Sequence, residues 1–449
     1  MTKPFLHVVR PEEVRELLSQ FDALDLEEVC TEDALHRVIG KPVIAREELP
    51  SFDRATMDGF VVRAADTFGA SESAPALFRI VGEVTMGAVV DRSPGRGEAL
   101  RIWTGGALPP GCDAVVMVEH TEELDGNSVE VLRAVAPFEN VVRKGEDCRA
   151  EETLLSPGHR LRPQDLGLLA AMGISSIVAH RKPVIAVASS GDEIVSIEDE
   201  TPAGCMRDVN RHTLTAMVQE SYALPIWLGI AADHLPDISS LIDRGLQQAD
   251  LVLISGGSSM GSRDLVIETI KSRLDSRILV HGVSISPGKP LIVARVGDKA
   301  VFGLPGHPVS AMVCFEHFVV PLMRRLEGED VVAPYLRPTV SAVLGRNVAS
   351  REGRTDYVRV RLQQTADGMV AIPVLAKSGM ISGMVRAQGF VRIEPDCEGL
   401  YKGEQVTVHL FSNWIEDRRA QKYLSGHEAA GGRAGHFLET PQQERLSRV

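Results

Sequence analysis

The sequence predicts a multidomain α/β plus β protein whose centre is a three-layer α/β domain with a parallel sheet. Three observations predict it. Residues 183–327 alternate continuous apolar runs such as "PVIAVASS" and "DLVLIS" with helical stretches such as "VNRHTLTAMVQESYA" and "LPDISSLIDRGLQQA". Uninterrupted Val/Ile/Leu strands between helices mark a parallel sheet covered on both faces. Residues 51–140 and 333–411 instead consist of short β-rich runs split by Gly, Pro, Asp and Asn, the texture of small all-β units. The length, 449 residues, suits several domains.

The elements follow in order. "PEEVRELLSQ" reads as a helix, with Pro11 at its first position and Glu12 and Glu13 at the positive end of its dipole. A second short helix is expected after Thr31, which can cap it. Residues 51–140 then carry the runs "FVVRAAD", "FRIVGEV", "DAVVMVE" and "SVEVLRAV", expected as strands of a β-rich domain. In 141–182, "RPQDLGLLAAMG" reads as a helix from Pro163 to a stop at Gly173, and "ISSIVAHRKP" as a strand and exit. That piece is too small to bury a core alone, so it is expected to join residues 1–50 in one discontinuous domain. The α/β segment closes with a long helix, "PVSAMVCFEHFVVPLMRRLEG". "RPTVSAVL", "TDYVRVRL", "MVAIPVL", "GFVRIEP" and "EQVTVHLF" then predict a C-terminal β-barrel over 333–411. Residues 412–449 are polar, without apolar period, and are expected to be disordered.

Bulk properties narrow the function. Net charge is −13, from 48 basic and 61 acidic residues, a poor prior for nucleic-acid binding. The six cysteines form no CxxC pair, which argues for reduced thiols and against a zinc ribbon. No uncharged run is long enough to span a bilayer, and "MTKPFLHVVRPEE" lacks the apolar core of a signal peptide. A cytoplasmic protein is expected.

The chemistry concentrates in loops at strand ends. "SSGDE", "AAD", "SGGSSMGSRD" and "GLPGHP" each follow a strand, and "SISPGKP" precedes one. Ligands of open parallel sheets bind outside the carboxyl ends of the strands. Gly256, Gly257, Ser258 and Ser259 offer backbone N–H groups and hydroxyls to an oxyanion or phosphate. Pro305, Gly306, His307 and Ser310 surround the start of the last helix, whose free N–H groups suit a phosphate. Lys289 supplies a point charge. Asp192, Glu193 and Asp264 are acids beside these groups, and carboxylates beside phosphates point to a bridging Mg²⁺. Singly, each feature is also an ordinary turn, cap or surface charge. A second cluster lies in "LPSFDRATMDGFVV", with Asp58; in "RIWTGGALPPGCDAVVMVE", with Thr104; and in "VVRKGEDCRAEETLL", with Arg143, Lys144, Glu146 and Asp147. Spacing alone does not place it in the same pocket.

Together, "LPSFDRATMDGF", "RIWTGGALPPGCDAVVMVE", "RKGED", "SSGDEI", "SGGSSMGSRD", "SPGKP" and "GLPGHPVSAM" resemble the molybdopterin molybdenumtransferase family, which includes MoeA and the gephyrin E domain. They occur in the family's order across residues 10–411. The resemblance implies an elongated discontinuous domain, a β domain, an α/β domain similar to molybdopterin adenylyltransferase, and a C-terminal barrel. It implies a homodimer whose active site lies between the α/β domain of one subunit and the β domain of the other, uniting the two clusters. It implies Mg²⁺-dependent insertion of molybdate, as substrate, into adenylylated molybdopterin with release of AMP. The upstream adenylyltransferase and downstream molybdoenzyme chaperones are implied as partners. By motif, Asp58, Thr104, Asp147, Glu193, Asp233 and Asp264 match active-site positions, with Glu193, Asp264 and Asp58 on the metal side. Lys289, Gly256–Ser259 and Pro305–Ser310 match the phosphate and pterin loops. Two positions depart from the pattern: Ser258 replaces the Val of "GGVSVG", and His307 replaces the Asn of "LPGNPVSA". They leave a tungstate-inserting paralogue, or a non-catalytic pterin- or peptide-binding scaffold, as alternatives.

Overall fold

The computed structural model describes residues 8–88, 90–256, 260–329 and 337–411. The expected disordered tail, 412–449, lies outside them. The described residues form two compact units: those of 8–284 with 288–329, and residues 285–287 with 337–411.

The first unit begins with the helix Pro11–Leu18, with proline at its first position and Val14 and Leu18 buried. The strand Leu26–Cys30 then pairs antiparallel with Ser176–His180, across the whole intervening β-rich segment. Val29, Ala34 and Ile39 share one core with Leu155, Leu161, Leu169 and Ile177. Two chain stretches thus bury one core between them. The helix Pro163–Ala171 supplies Leu169, and Gly173, at φ 64°, turns the chain out of it. After Cys30 the chain makes only a three-residue 3-10 turn, Thr31–Asp33. The Thr31 hydroxyl donates to the Ile174 carbonyl instead of capping a helix.

The β-rich segment forms a six-stranded sheet in the order Ala114–Met117, Gly59–Val62, Glu98–Ile102, Ala76–Val84, Ser128–Val131, Thr121–Glu123. Neighbouring residues of a strand face opposite ways. Phe60 accordingly packs with Phe78, Val116 and Val129, while Val61 packs with Leu100, Ile102 and Val115. The strand Gly59–Val62 is buried on both faces.

The α/β sheet runs in the order Leu224–Ala231, Val184–Ser190, Leu251–Gly256, Lys299–Pro305, Ile292–Val296, Ser276–His281. The first four strands are parallel, and the last two extend the sheet antiparallel. Helices Val209–Glu220 and Pro308–Cys314 pack together, as do Leu235–Gln248 and Met260–Lys271, giving helix layers about the sheet. Ala186, Val252, Ile254, Leu241, Ile242 and Ile270 build one core of this domain. The closing helix is not continuous: a π turn, Phe315–Val319, separates Pro308–Cys314 from Val320–Leu326.

In the second unit, Thr355–Thr365, Gly368–Pro373, Thr339–Leu344, Gln405–Leu410 and Gly389–Ile393 pair in succession, and the last pairs back to the first. This is a closed five-stranded barrel, filled by Leu344, Val360, Leu362, Val391 and Val408. Among the described residues no helix is long and apolar enough to cross a membrane.

Candidate active site

Register places the loops of the α/β domain. In the parallel ladder, Ser190 pairs with Ala231 on one side and Gly256 on the other, and Gly256 pairs with Pro305. Four strands therefore end level, and the segments that follow them emerge on one edge. Lys289 reaches the same edge because its strand runs the other way: Ile292 pairs with Gly303, so the residues before it continue past the carboxyl end of Lys299–Pro305. Its loop is anchored there, since the Val283 N–H donates to the Lys289 carbonyl and the Cys314 thiol to the Gly288 carbonyl.

Close packing at this edge demands glycine. A Cβ on Gly256 would meet the Ser190 Oγ at 1.9 Å. Gly191 holds φ 146°, and a Cβ there would meet the Glu193 carboxylate at 2.7 Å. Beside them stand three acids. The Asp233 N–H donates to the Asp192 Oδ1 at 3.0 Å. Burial, then the charges of Asp192 and Glu193, push the Asp233 carboxyl above its ordinary range. The Asp233 Oδ1 and the Ser190 Oγ are buried without a hydrogen-bond partner among the described residues. Sequence reasoning singled out Glu193 and Asp233, but gave Ser190 no role.

The loop that opens the last helix is equally built. His307 sits at the cap position of Pro308–Cys314, and its carbonyl accepts from the Ala311 N–H. Ser310 is buried in the first turn. Gly257, Ser258 and Ser259 lie outside the described residues. Asp264 falls within the helix Met260–Lys271, and its side chain lies outside them too.

The second cluster is assembled by one segment, residues 49–58, clasped between two turns. On one side the Ala55 N–H donates to Gly106, the Gly105 N–H to Ala55, and the Leu108 N–H to Asp53. On the other, Arg54 and Ala55 pair with Val142 and Val141, the Lys144 N–H donates to the Asp53 carboxylate, and the Gly145 and Asp147 N–H groups donate to Pro50 and Leu49. The clasp brings Thr104 onto Asp58: the Thr104 N–H and hydroxyl both donate to the Asp58 Oδ1, each at 2.7 Å. These bonds hold the Asp58 carboxyl below its usual range although it is exposed. Asp147 is exposed in the adjoining turn. Met57, Trp103 and Val118 leave apolar surface exposed next to the pair.

Among the described residues no hydrogen bond or ion pair joins the Asp58–Thr104 pair to Asp192, Glu193 and Asp233, and no three His, Cys, Asp or Glu side chains are grouped to ligate a metal.

Comparison with known proteins gives this geometry its family. Residues 9–173 match the MoeA N-terminal region (domain I and II), 186–325 a probable molybdopterin binding domain, and 341–411 the MoeA C-terminal region (domain IV). A molybdopterin molybdenumtransferase of Bacillus subtilis is 31% identical over 390 residues, spanning 86% of this chain and 90% of its own. A crystal structure of a molybdopterin biosynthesis MoeA protein from Pyrococcus horikoshii aligns over 91% of this chain and 100% of its own, at 35% identity and TM-score 0.75. A second MoeA structure from Pyrococcus horikoshii aligns over 90% of this chain and 100% of its own, at 29% identity and TM-score 0.77. The chain therefore belongs to the MoeA family of molybdopterin molybdenumtransferases, metal-inserting transferases of molybdenum cofactor biosynthesis.

Proposed function

We propose that the protein inserts molybdate into adenylylated molybdopterin and releases AMP, as a homodimer whose active site is completed by the partner subunit. The observation that carries this reading is the levelled strand edge, where an acidic group and anion-binding loops stand side by side. An adenylylated pterin has a phosphoanhydride and molybdate is an oxyanion, so the site must hold several negative charges at once. Lys289 and the N–H groups of the Gly306–Ser310 helix start supply positive potential for them. Gly256–Ser259 let the substrate approach the backbone closely.

The acids suit a divalent cation. A buried carboxylate oxygen without a donor, raised by two like charges, is relieved when a cation arrives. Mg²⁺ usually takes only one or two carboxylates and completes its shell with phosphate oxygens and waters, so a preformed cage is not required. Glu193 and Asp233 would hold it in this chain, with the partner subunit's Asp58 across the dimer. Bound there, Mg²⁺ would offset the charge that builds on the adenylyl phosphate as an oxygen of water or molybdate bonds to its phosphorus and the P–O bond to the pterin phosphate breaks, which leaves AMP on one side and the pterin phosphate on the other. Asp58, kept ionised by Thr104, faces molybdate or the metal shell. The apolar surface at Met57, Trp103 and Val118 suits a partner's pocket rim. The chemistry is positioning and electrostatic stabilisation, with no covalent enzyme intermediate.

The test is release of AMP from adenylylated molybdopterin by the purified protein with molybdate and Mg²⁺. Glu193→Gln, which keeps volume and removes charge, should reduce the rate about 100-fold or more. Equal rates in the two proteins would overturn the reading.

A further inference from the structure

We infer that Asn210 is a positioning residue that ties the loop carrying Glu193 to the anion loop at Gly306–His307. The inference rests on the proposed function for what the loops bind.

The link can be followed bond by bond. The Met206 N–H donates to the Glu193 carbonyl at 2.8 Å. Ile194–Val195 and Met206–Arg207 pair as a short parallel ladder. The Asp208 N–H donates to the Val195 carbonyl at 2.9 Å. The Asp208 side chain caps the helix Val209–Glu220 by accepting from the Arg211 N–H at 2.9 Å. In the first turn of that helix, the Asn210 Nδ2 donates to the Gly306 carbonyl at 2.9 Å. Both walls of the strand-end pocket therefore hang on residues 206–210.

The orientation of the Asn210 amide follows from its partner. A carbonyl oxygen only accepts, so the NH₂ must face Gly306 and the Oδ1 must face away. That Oδ1 is buried with no partner among the described residues, as is the second oxygen of Asp208. Asparagines with a purely structural role at such burial normally satisfy both ends. By holding the Gly306 carbonyl, Asn210 fixes the direction of the peptide at the start of the helix Pro308–Cys314. A carbonyl swung toward the pocket would repel an anion there. The residue thus serves ground state and transition state alike, and its loss should weaken binding more than turnover.

The experiment compares wild type, Asn210→Ala and the isosteric Asn210→Asp, which removes the donor and opposes the Gly306 carbonyl with an acceptor. Two readouts are taken on each folded homodimer. The first is KM and kcat for adenylylated molybdopterin with molybdate and Mg²⁺. The expected result is KM raised about three- to tenfold, the worth of one hydrogen bond, with kcat changed less than about twofold. The second is amide hydrogen exchange of residues 304–314, with 235–248 as internal control. It should quicken in both variants at 304–314 alone, whether or not the protein acts on this substrate. A wild type without AMP release, but with the expected exchange pattern, would reject the proposed function and keep the link. Wild-type KM in Asn210→Asp, unchanged exchange at 304–314, or quickened exchange in both segments would overturn the inference.

Discussion

Thr104 donates twice to a single oxygen of Asp58, through its amide and its hydroxyl, each at 2.7 Å. The two residues are 46 positions apart, and the clasped 49–58 segment brings them together. The pair fixes the charge and direction of one exposed carboxylate.

Thr104→Val keeps the shape and the amide bond but removes the hydroxyl donor. The Asp58 carboxyl, held low mainly by the Thr104 amide and then its hydroxyl, should rise toward the ordinary value. A depressed carboxyl stabilises the fold above its unfolded pKa, and that contribution is lost as pH falls through the folded value. The variant should therefore differ from wild type in stability at neutral pH and converge with it in acid. NMR titration of the Asp58 carboxyl checks the shift. The acid limb of the rate profile should move up with it, and kcat/KM should fall about tenfold.

Asp233 is the opposite case. Burial, Asp192 and Glu193 raise its carboxyl, so the ionised form strains the fold, and stability is gained as pH drops through the raised value. Asp233→Asn should then raise the melting temperature by about 2 °C without Mg²⁺ while abolishing AMP release. Mg²⁺ should stabilise wild type more at pH 8 than at pH 5, and the variant little at either. Thermal melts with and without Mg²⁺ decide it.

Gly256→Ala should be damaging for one nameable reason, the 1.9 Å approach of its Cβ to the Ser190 Oγ. The expected cost is about 1–3 kcal/mol, with loss of activity. Ser190→Ala removes the clashing oxygen, so the double variant should regain part of the stability. Denaturant unfolding of the three proteins gives the coupling energy.

A junction far from the chemistry makes a separate prediction. Arg160 pairs with both Glu327 and Glu329, and Arg324 also reaches Glu329. Arg160 also lies over the Tyr222 ring, which stacks on His36. Burial pushes the Glu327 carboxyl up, and only Arg160 and Arg324 oppose that push. Arg160→Met should cost about 3–5 kcal/mol at pH 8, since it strands the buried Glu327 carboxylate. The deficit should shrink as pH falls toward 5, because burial raises the Glu327 carboxyl and favours its protonated form. Unfolding free energies at the two pH values measure it.

The fold class was legible because its signals are local. Runs such as 251–254, Leu-Val-Leu-Ile, are apolar throughout, and Pro11, Pro163 and Pro308 mark the starts of their helices. What was not legible depended on distant partners. Leu26–Cys30 buries only Val29, so no alternation announces a strand, and its partner lies beyond residue 175. Ser276–His281 runs straight on from a helix, and its antiparallel direction comes from pairing with Ile292–Val296. The helix expected after Thr31 is a single 3-10 turn because its hydroxyl is drawn to Ile174. At the site, the acids and glycine loops stood out by residue type and position after strands. Ser190 and Asn210 did not, because an unsatisfied buried oxygen has no signature in sequence.

The central claim is that the Asp58–Thr104 pair of one subunit and the Glu193 group of the other form one metal-inserting site. Subunit complementation tests it most directly. Asp58→Ala and Glu193→Gln proteins, each expected to be inactive alone, are unfolded, mixed in equal amounts and refolded together. AMP release from adenylylated molybdopterin with molybdate and Mg²⁺ is then measured, with tungstate in a parallel arm. If half the dimers are mixed and each carries one intact site, about a quarter of the wild-type rate should return. A mixture as inactive as its parents would contradict the account.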